Sequence, residues 1–247
     1  MNAAPFLLVA CLAASAWAQT GRELMEDSIR RHAHPDFVYQ EQTLILSDKL
    51  GQNTVRTARY YERRDTSGRK SLLVIQTPVE LRGASLFTSR DAHGGARQGP
   101  DPASPVFGSD FTVADFEGEQ PADYRYALED SQDLDRVSHY VLLASPRDEA
   151  VSLATGYGIR RIYMRKDNLF VNRIDYLDRQ GNLVRRRTFR DPRPDESGAW
   201  RAGMILTEDL RESRRTLVKI ERRVHSPDYV PESVFDRGHD HARAALR

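Results

Sequence analysis

Cysteine is nearly absent from this sequence of 247 residues, in which Cys11 is the only one. One cysteine cannot form an internal disulfide, and Cys11 lies in the segment that is interpreted below as a cleavable signal peptide, so we expect no thiol chemistry in the mature protein. The two close histidine pairs, His32 with His34 and His239 with His241, come without further ligands at a suitable spacing. The sequence therefore predicts no metal site and no cofactor.

An excess of charge of one sign is also missing. The chain carries 37 Lys and Arg against 36 Asp and Glu, a net charge of +1, and the two signs are interleaved. This balance argues against the basic patch by which proteins bind nucleic acid. The run Arg185-Arg186-Arg187 is a local exception inside a strand-like segment. We interpret it as a solvated sheet face in preference to a contact with anionic lipid headgroups.

The sequence has only one long apolar run, which lies in residues 1–18 and ends in Ala16-Trp17-Ala18. It predicts a cleavable signal peptide, although no Lys or Arg precedes the apolar residues. The run is too short for a comfortable membrane span. The segment Leu8-Val9-Ala10-Cys11 resembles the acylation site of bacterial lipoproteins, so anchoring through Cys11 is the alternative. We expect export to the periplasm and one mature domain over residues 19–247, with a flexible tail from about residue 237.

The rest of the chain is rich in short strand-like segments that are separated by turn residues. Residues 21–32 have helical spacing, and Pro35 ends that helix. Residues 90–105 and 191–198 are predicted as loops because of their Gly, Pro and polar content. Strands are predicted over residues 37–47, 53–64, 70–77, 84–88, 124–129, 138–144, 159–166, 168–177, 183–189, 199–207 and 215–224. This pattern predicts a mainly β (α+β) fold with a single curved antiparallel sheet and an N-terminal helix on one side.

The segment Gly108-Ser109-Asp110-Phe111-Thr112-Val113-Ala114-Asp115-Phe116 combines turn chemistry with aromatic anchors. Gly108 permits a left-handed backbone, and Ser109 or Asp110 can cap the short helical turn that follows. Phe111 and Phe116 would hold that turn on an apolar surface. The segment resembles the GSDF signature of outer membrane lipoprotein-sorting-like proteins, relatives of the periplasmic carrier LolA. We interpret Gly108, Ser109, Asp110 and Phe111 as a structural signature and not as catalytic residues.

Three further segments are similar to that family in the same order along the chain. They are the strand break at residues 77–86, the hairpin at residues 171–184 with its Asp178-Arg179-Gln180-Gly181 turn, and Pro231-Glu232-Ser233-Val234-Phe235 near the end. One departure concerns residues 91–107, where family members commonly have a strand with Trp, Tyr and Pro. A strand or hairpin is therefore expected to be shortened or missing there.

The resemblance implies an open half-barrel, covered by the N-terminal helix and the short mid-chain helical turn, whose apolar inner side binds the acyl chains of a lipid or lipoprotein. Such a carrier works in transit towards the outer membrane, and an inner-membrane lipid exporter is a partner that some members have. Buried apolar residues are usually ordinary core, so a packed interior is the alternative for each candidate. The candidate cavity residues are Val38, Leu44, Leu46, Leu73, Ile75, Leu86, Phe111 and Phe116.

Two other functions remain open at this stage. One is a periplasmic regulator that senses lipid and binds a membrane protein. The other is an enzyme acting on lipid or glycan, but the chain has no Gly-x-Ser-x-Gly motif, phosphate-binding loop or zinc-helix motif. We therefore expect no catalytic residues and favour a binding protein.

Overall fold

The structure is a computed structural model that describes residues 20–33, 35–92, 97–118, 120–155 and 158–236. The predicted signal peptide with Cys11, the histidines His34, His239 and His241, and the predicted flexible tail lie outside these residues. None of the helices in the described part of the chain has the length and apolar character needed to cross a membrane.

The described residues form one antiparallel sheet of twelve strands that does not close on itself. Its spatial order is β5-β4-β3-β2-β1-β12-β11-β10-β9-β8-β7-β6, so the first and last strands are neighbours in the middle. The two edges, β5 and β6, follow each other in the sequence, and residues 99–123 connect one edge with the other. The strands are β1 (Phe37–Ser47), β2 (Asn53–Asp65), β3 (Gly68–Thr77), β4 (Ser85–Asp91), β5 (Arg97–Gln98), β6 (Tyr124–Leu134), β7 (Val137–Pro146), β8 (Arg160–Arg165), β9 (Val171–Leu177), β10 (Leu183–Pro194), β11 (Trp200–Asp209) and β12 (Arg214–Val224).

In the described part of the chain, four α-helices accompany the sheet. They are α1 (Gly21–Arg31), α2 (Ala114–Glu117), α3 (Glu149–Thr155) and α4 (Ser233–Asp236). The predicted N-terminal helix is confirmed, and Thr20 begins it with a capping box: its side chain accepts a bond from the Glu23 amide while the Glu23 carboxylate accepts one from the Thr20 amide. Leu24 and Met25 are buried on the face that packs against the sheet.

Side chains alternate between two faces of the sheet, and the unbroken apolar run from Leu72 to Ile75 predicts that β3 is covered on both. Leu73 and Ile75 point to what we call the inner face, which is the face that α1 covers, and Leu72 points to the outer face.

The buried apolar side chains of the described residues form three clusters on these faces. The plug cluster on the inner face of β1–β4 and β12 contains Leu44, Ala58, Tyr60, Leu73, Ile75, Leu86, Val106, Phe107, Phe111, Val113 and Val218. The helix cluster, also on the inner face, contains Leu24, Met25, Tyr124, Leu142, Ala144, Ile162, Met164, Leu169, Ile174 and Tyr176. The outer cluster contains Tyr39, Leu72, Phe87, Val230 and Phe235.

Two predicted loops are partly wrong. Residues 97–98 form the short strand β5 at the sheet edge, which fits the expected shortening of this region. The strand β10 continues through Pro192 and Pro194 into the segment that was predicted as a polar connection. β10 pairs with β9 only as far as Thr188. Beyond that residue one side of β10 has no neighbouring strand, so proline, which lacks an N–H donor, is tolerated there. The helix α3 was not predicted.

Candidate functional site

Residues 106–117, which we call the plug, lie on the inner face within the connection between the two sheet edges. Four of its apolar side chains enter the plug cluster, namely Val106, Phe107, Phe111 and Val113. The Phe111 side chain is 3% exposed, and its ring centroid lies 6.1 Å from that of Phe116. The plug therefore supplies part of the apolar core that the strands alone leave open.

The signature at the start of the plug forms a turn, as predicted. Gly108 has φ +66°, in the left-handed region that favours glycine. The Ser109 hydroxyl donates to the Val106 carbonyl (2.6 Å) and accepts from the Phe111 amide (3.3 Å). The prediction that Ser109 or Asp110 caps the helical turn is wrong, because α2 begins after Val113 without a side-chain cap. The turn chemistry shapes the backbone ahead of α2 instead.

Asp110 ties the plug to the middle of the sheet. Its amide donates to the Thr216 hydroxyl (3.0 Å), and that hydroxyl donates to Asp110 Oδ2 (2.7 Å). Arg214 Nε lies 3.6 Å from Asp110 Oδ1. Burial raises the pKa of Asp110, and the Thr216 hydroxyl and Arg214 counteract that effect only in part. The residue is structural, as the sequence indicates, but its partner is β12 and not the local backbone.

Asp115 of α2 is the most enclosed carboxylate of the plug. It forms ion pairs with Arg185 and with Arg187, whose Nη1 lies 3.0 Å from Asp115 Oδ1, and Oδ2 accepts the Thr112 amide (2.8 Å). Burial alone would raise the pKa of Asp115, but the two arginines outweigh it and hold the pKa below its usual value. The pairs cross the inner face between the plug cluster and the helix cluster, because Tyr176 and Ile174 lie opposite Arg185 and Arg187 on β9.

The interpretation of Arg185-Arg186-Arg187 as a solvated face is wrong for two of the three residues. The side chains of Arg185 and Arg187 point inward and are 6% and 12% exposed. Arg186 points to the outer face, where its Nε lies 2.8 Å from Asp175 Oδ1. Side chains alternate along β10, so Arg186 lies on the opposite face from Arg185 and Arg187. The sequence does not reveal which face is covered, since the partner Asp115 is about seventy residues away.

Further arginines hold the plug at both ends. Arg56 of β2 donates to the Phe107 carbonyl, and Arg69 of β3 donates to the Phe116 carbonyl. At the end of α2, the buried Glu117 accepts from Arg97 and Arg90. The plug is thus joined to strands on both halves of the sheet by charged hydrogen bonds, which are stronger than neutral ones.

Most of the predicted cavity residues come together around the plug. Leu44, Leu73, Ile75, Leu86 and Phe111 are buried members of the plug cluster, and Leu46 and Phe116 are partly buried against it. Val38 is buried on the same face but lies outside that cluster, opposite Glu62. The eight predicted residues therefore lie on one face of the sheet, as the sequence indicates. That they line a ligand cavity remains a prediction.

Two open clefts lie away from these residues, at turns that join neighbouring strands. One, of about 310 Å³, lies between the turns that follow β1 and β11. The other, of about 440 Å³, lies between the turns that follow β6 and β8. Within the described ranges, no group of three or more His, Cys, Asp or Glu side chains is placed to hold a metal ion.

Thr207 and Thr216 form a matched pair for a stability test, since they lie directly opposite each other on β11 and β12 and both are fully buried. The Thr216 hydroxyl makes two bonds to Asp110, whereas that of Thr207 has no partner among the described residues. We expect Thr216→Val to lower the free energy of unfolding in urea by about 1–3 kcal/mol. Thr207→Val should leave it unchanged or raise it. Equal losses in both variants would contradict this account of the plug.

The architecture is that of a LolA-like fold: an open half-barrel whose inner face is covered by a helix and a mid-chain segment. Solved structures that share it include the following three. A candidate outer membrane lipoprotein-sorting protein domain from Vibrio parahaemolyticus matches with a TM-score of 0.73 and 16% identity, over 87% of this chain and 97% of that one. A DUF1329 family protein from Desulfovibrio piger gives 0.73 and 18%, over 88% and 99%. A LolA superfamily protein from Nitrosomonas europaea gives 0.66 and 13%, over 88% and 98%.

A family model described as "Uncharacterized protein" matches residues 67–239, and the chain belongs to that family. The match covers the plug and every strand from β3 to β12. No curated protein matches the sequence.

Proposed function

We propose that this protein binds acyl chains of a lipid or lipoprotein on its inner face and carries them through the periplasm towards the outer membrane. The observation that carries the proposal is the cover of that face. The two apolar clusters on that face are covered by the plug and by α1, which are short segments, and not by a second sheet. The plug is held in place by side-chain hydrogen bonds and ion pairs. A sheet face covered in this way can exchange its own apolar segment for an apolar ligand.

The energetics favour such an exchange. Burying an acyl chain contributes about 0.8 kcal/mol per CH₂ group, so a long chain supplies on the order of 10 kcal/mol. Displacing Phe111 and Val113 from the plug cluster would expose two buried apolar side chains, and this cost offsets part of the gain. The net free energy of binding is therefore smaller than that of burying the acyl chain alone, which favours release of the cargo.

The location and partners are part of the same proposal. Cleavage after Ala18 would release a mature domain that starts at residue 19 on the outer side of the inner membrane. An inner-membrane lipid exporter would supply the acyl chains, and membrane anchoring through Cys11 is the alternative arrangement. No catalytic step is part of the proposed function.

A matched pair of variants tests which face binds the ligand. Leu46 is partly buried on the inner face, and Val74 is partly buried on the outer face. With a fluorescent fatty acid and delipidated mature protein, we expect Leu46→Gln to lower the affinity about tenfold, whereas Val74→Gln leaves it unchanged. Equal effects would place the probe elsewhere than on the inner face.

The cargo class is identified by a second measurement. The mature protein is purified from a bacterial periplasm and extracted with organic solvent, and the extract is analysed by mass spectrometry. We expect a defined acyl species in near-stoichiometric amount. A protein that carries no lipid and does not bind the fatty-acid probe would show that the plug fills the inner face permanently, which would overturn the proposal.

A further inference from the structure

A polar site lies in the middle of the inner face, between the plug cluster and the helix cluster. Arg185 and Arg187 reach it from β10, and Thr207 reaches it from β11, directly opposite Arg187. Directly opposite residues on antiparallel strands point to the same face, so Thr207 lies beside the Arg187 side chain. Asp115 occupies the space above them.

Several groups at this site have hydrogen-bonding capacity that the described residues do not use. The Thr207 hydroxyl is fully buried and has no partner among them, and the same holds for Arg187 Nε and the Thr112 hydroxyl. Buried polar groups are nearly always bonded in native proteins, and each exception calls for an explanation such as an absent ligand. Three exceptions lie around one carboxylate here.

We propose that Arg185, Arg187 and Thr207 bind the phosphate group of an amphiphile, and that the carboxylate of Asp115 takes the place of this phosphate in the present structure. The guanidinium fork of arginine matches phosphate as well as carboxylate. The inference rests on the proposed function, because the acyl chain of the amphiphile would pack on the neighbouring apolar clusters. The inference thus adds to the proposed acyl ligand a headgroup that contains phosphate.

Phosphate satisfies the site better than the carboxylate does. The two oxygens of Asp115 already accept from Arg185, from Arg187 and from the Thr112 amide. A phosphate monoester offers three terminal oxygens and more negative charge, so it can also accept from the Thr207 hydroxyl and from Arg187 Nε. Binding therefore requires Asp115 to leave, and α2, which carries it, is a single helical turn.

The surroundings favour a lipid over free phosphate as the source of the group. The Arg187 guanidinium lies 5.2 Å from the ring centroid of Phe189 on β10, and the Arg185 guanidinium lies 4.8 Å from that of Tyr176 on β9; neither ring belongs to the plug. The two arginines are thus framed by aromatic side chains that exclude water. Such a frame suits the junction between a charged headgroup and an apolar chain.

The test compares three probes by isothermal titration of the delipidated mature protein, below the critical micelle concentrations. They are oleoyl lysophosphatidic acid, monoolein, which has the same acyl chain without phosphate, and inorganic phosphate. We expect lysophosphatidic acid to bind at least about tenfold more tightly than monoolein, and inorganic phosphate to bind weakly.

The variants separate the headgroup site from the acyl site. Thr207→Val should lower the affinity for lysophosphatidic acid about tenfold and leave that for monoolein unchanged. Arg187→Gln also removes a bond that holds the plug, so it should lower the affinity for lysophosphatidic acid about tenfold relative to that for monoolein. Arg186→Gln is the matched control, because Arg186 is the adjacent arginine but bonds Asp175 on the outer face. It should change neither affinity. Thr207→Val removes a hydroxyl that the folded chain does not use, so its fold should be preserved.

Each other outcome decides the inference. Equal affinities of the wild type for the two amphiphiles, or an unchanged lysophosphatidic acid affinity in Thr207→Val, would overturn the phosphate site and leave the acyl carrier intact. Inorganic phosphate binding as tightly as lysophosphatidic acid would overturn the lipid as the source of the phosphate. Binding of neither amphiphile would overturn the proposed function and this inference together.

Discussion

Asp115→Ala should lower the free energy of unfolding by about 3–5 kcal/mol, a large effect for a single substitution. The carboxylate is 5% exposed and joins the plug to two arginines of β10. Its removal leaves the guanidinium groups of Arg185 and Arg187 buried without this carboxylate, which costs more than the loss of an exposed ion pair. Urea unfolding measures the change.

The control for this prediction is Glu26→Ala. Glu26 pairs with Arg22 on α1, but both side chains are more than 40% exposed, so its loss should cost about 0.5 kcal/mol or less. If Asp115→Ala costs no more than Glu26→Ala, the plug is not held by its buried carboxylate.

The dependence on pH checks the same prediction. The folded pKa of Asp115 lies below its usual value, so the carboxylate stabilises the fold fully above the unfolded pKa of about 3.9. That contribution is lost as the pH falls through the lower folded value. Below about pH 4, stability should therefore fall less steeply with pH in Asp115→Ala than in the wild type. Asp110, whose pKa is raised, contributes with the opposite sign in both proteins. Parallel pH profiles would contradict the prediction.

Phe111→Ala should have the second large effect, a loss of about 3–5 kcal/mol in the free energy of unfolding. The ring is 3% exposed within the plug cluster, next to Phe116 and below the Arg187 guanidinium. Its loss leaves a cavity in the apolar core of the inner face. Because this cavity lies where an acyl chain would pack, the affinity for a fluorescent fatty acid should rise while stability falls. Urea unfolding and probe titration give the two readouts.

Phe37→Ala is the matched control for Phe111. Phe37 is also a phenylalanine beneath an arginine, with the Arg63 guanidinium 5.4 Å from its ring centroid, but it is only partly buried, against the outer cluster. It should cost clearly less stability and leave probe binding unchanged. Equal losses, or a fall in probe affinity in Phe111→Ala alone, would contradict the view that Phe111 occupies the acyl position.

Much of the fold could be predicted from local pattern. The bounds of β1 are those that its aromatic and β-branched residues predict, and the unbroken apolar run from Leu72 to Ile75 correctly indicates that both faces of β3 are covered. These predictions succeed because strand periodicity and turn residues act within a few residues. The extension of β10 through Pro192 was missed because it depends on the distant ending of its ladder with β9.

The candidate site was predictable only in part. The GSDF signature correctly indicated a turn on an apolar surface, and the apolar residues of β1, β3 and β4 correctly indicated the covered face. The role of Asp115 was missed, although it lies only a few residues after that signature, because an acid between apolar residues does not reveal its partners. The alternation of Arg185 and Arg187 was the available signal, but charge at alternate positions indicates a wet face unless a buried carboxylate is known to face it.

The chain order adds a mechanical consequence to this site. Residues 99–123 are the covalent connection between β5 and β6, which are the two free edges of the sheet. Spreading these edges apart would draw on this one crossing, which includes the plug. The same stretch holds Asp115 against the two arginines. Any widening of the half-barrel must therefore be accommodated within the same stretch of backbone that carries Asp115, so a partner that moves either edge acts on the chain that holds this carboxylate.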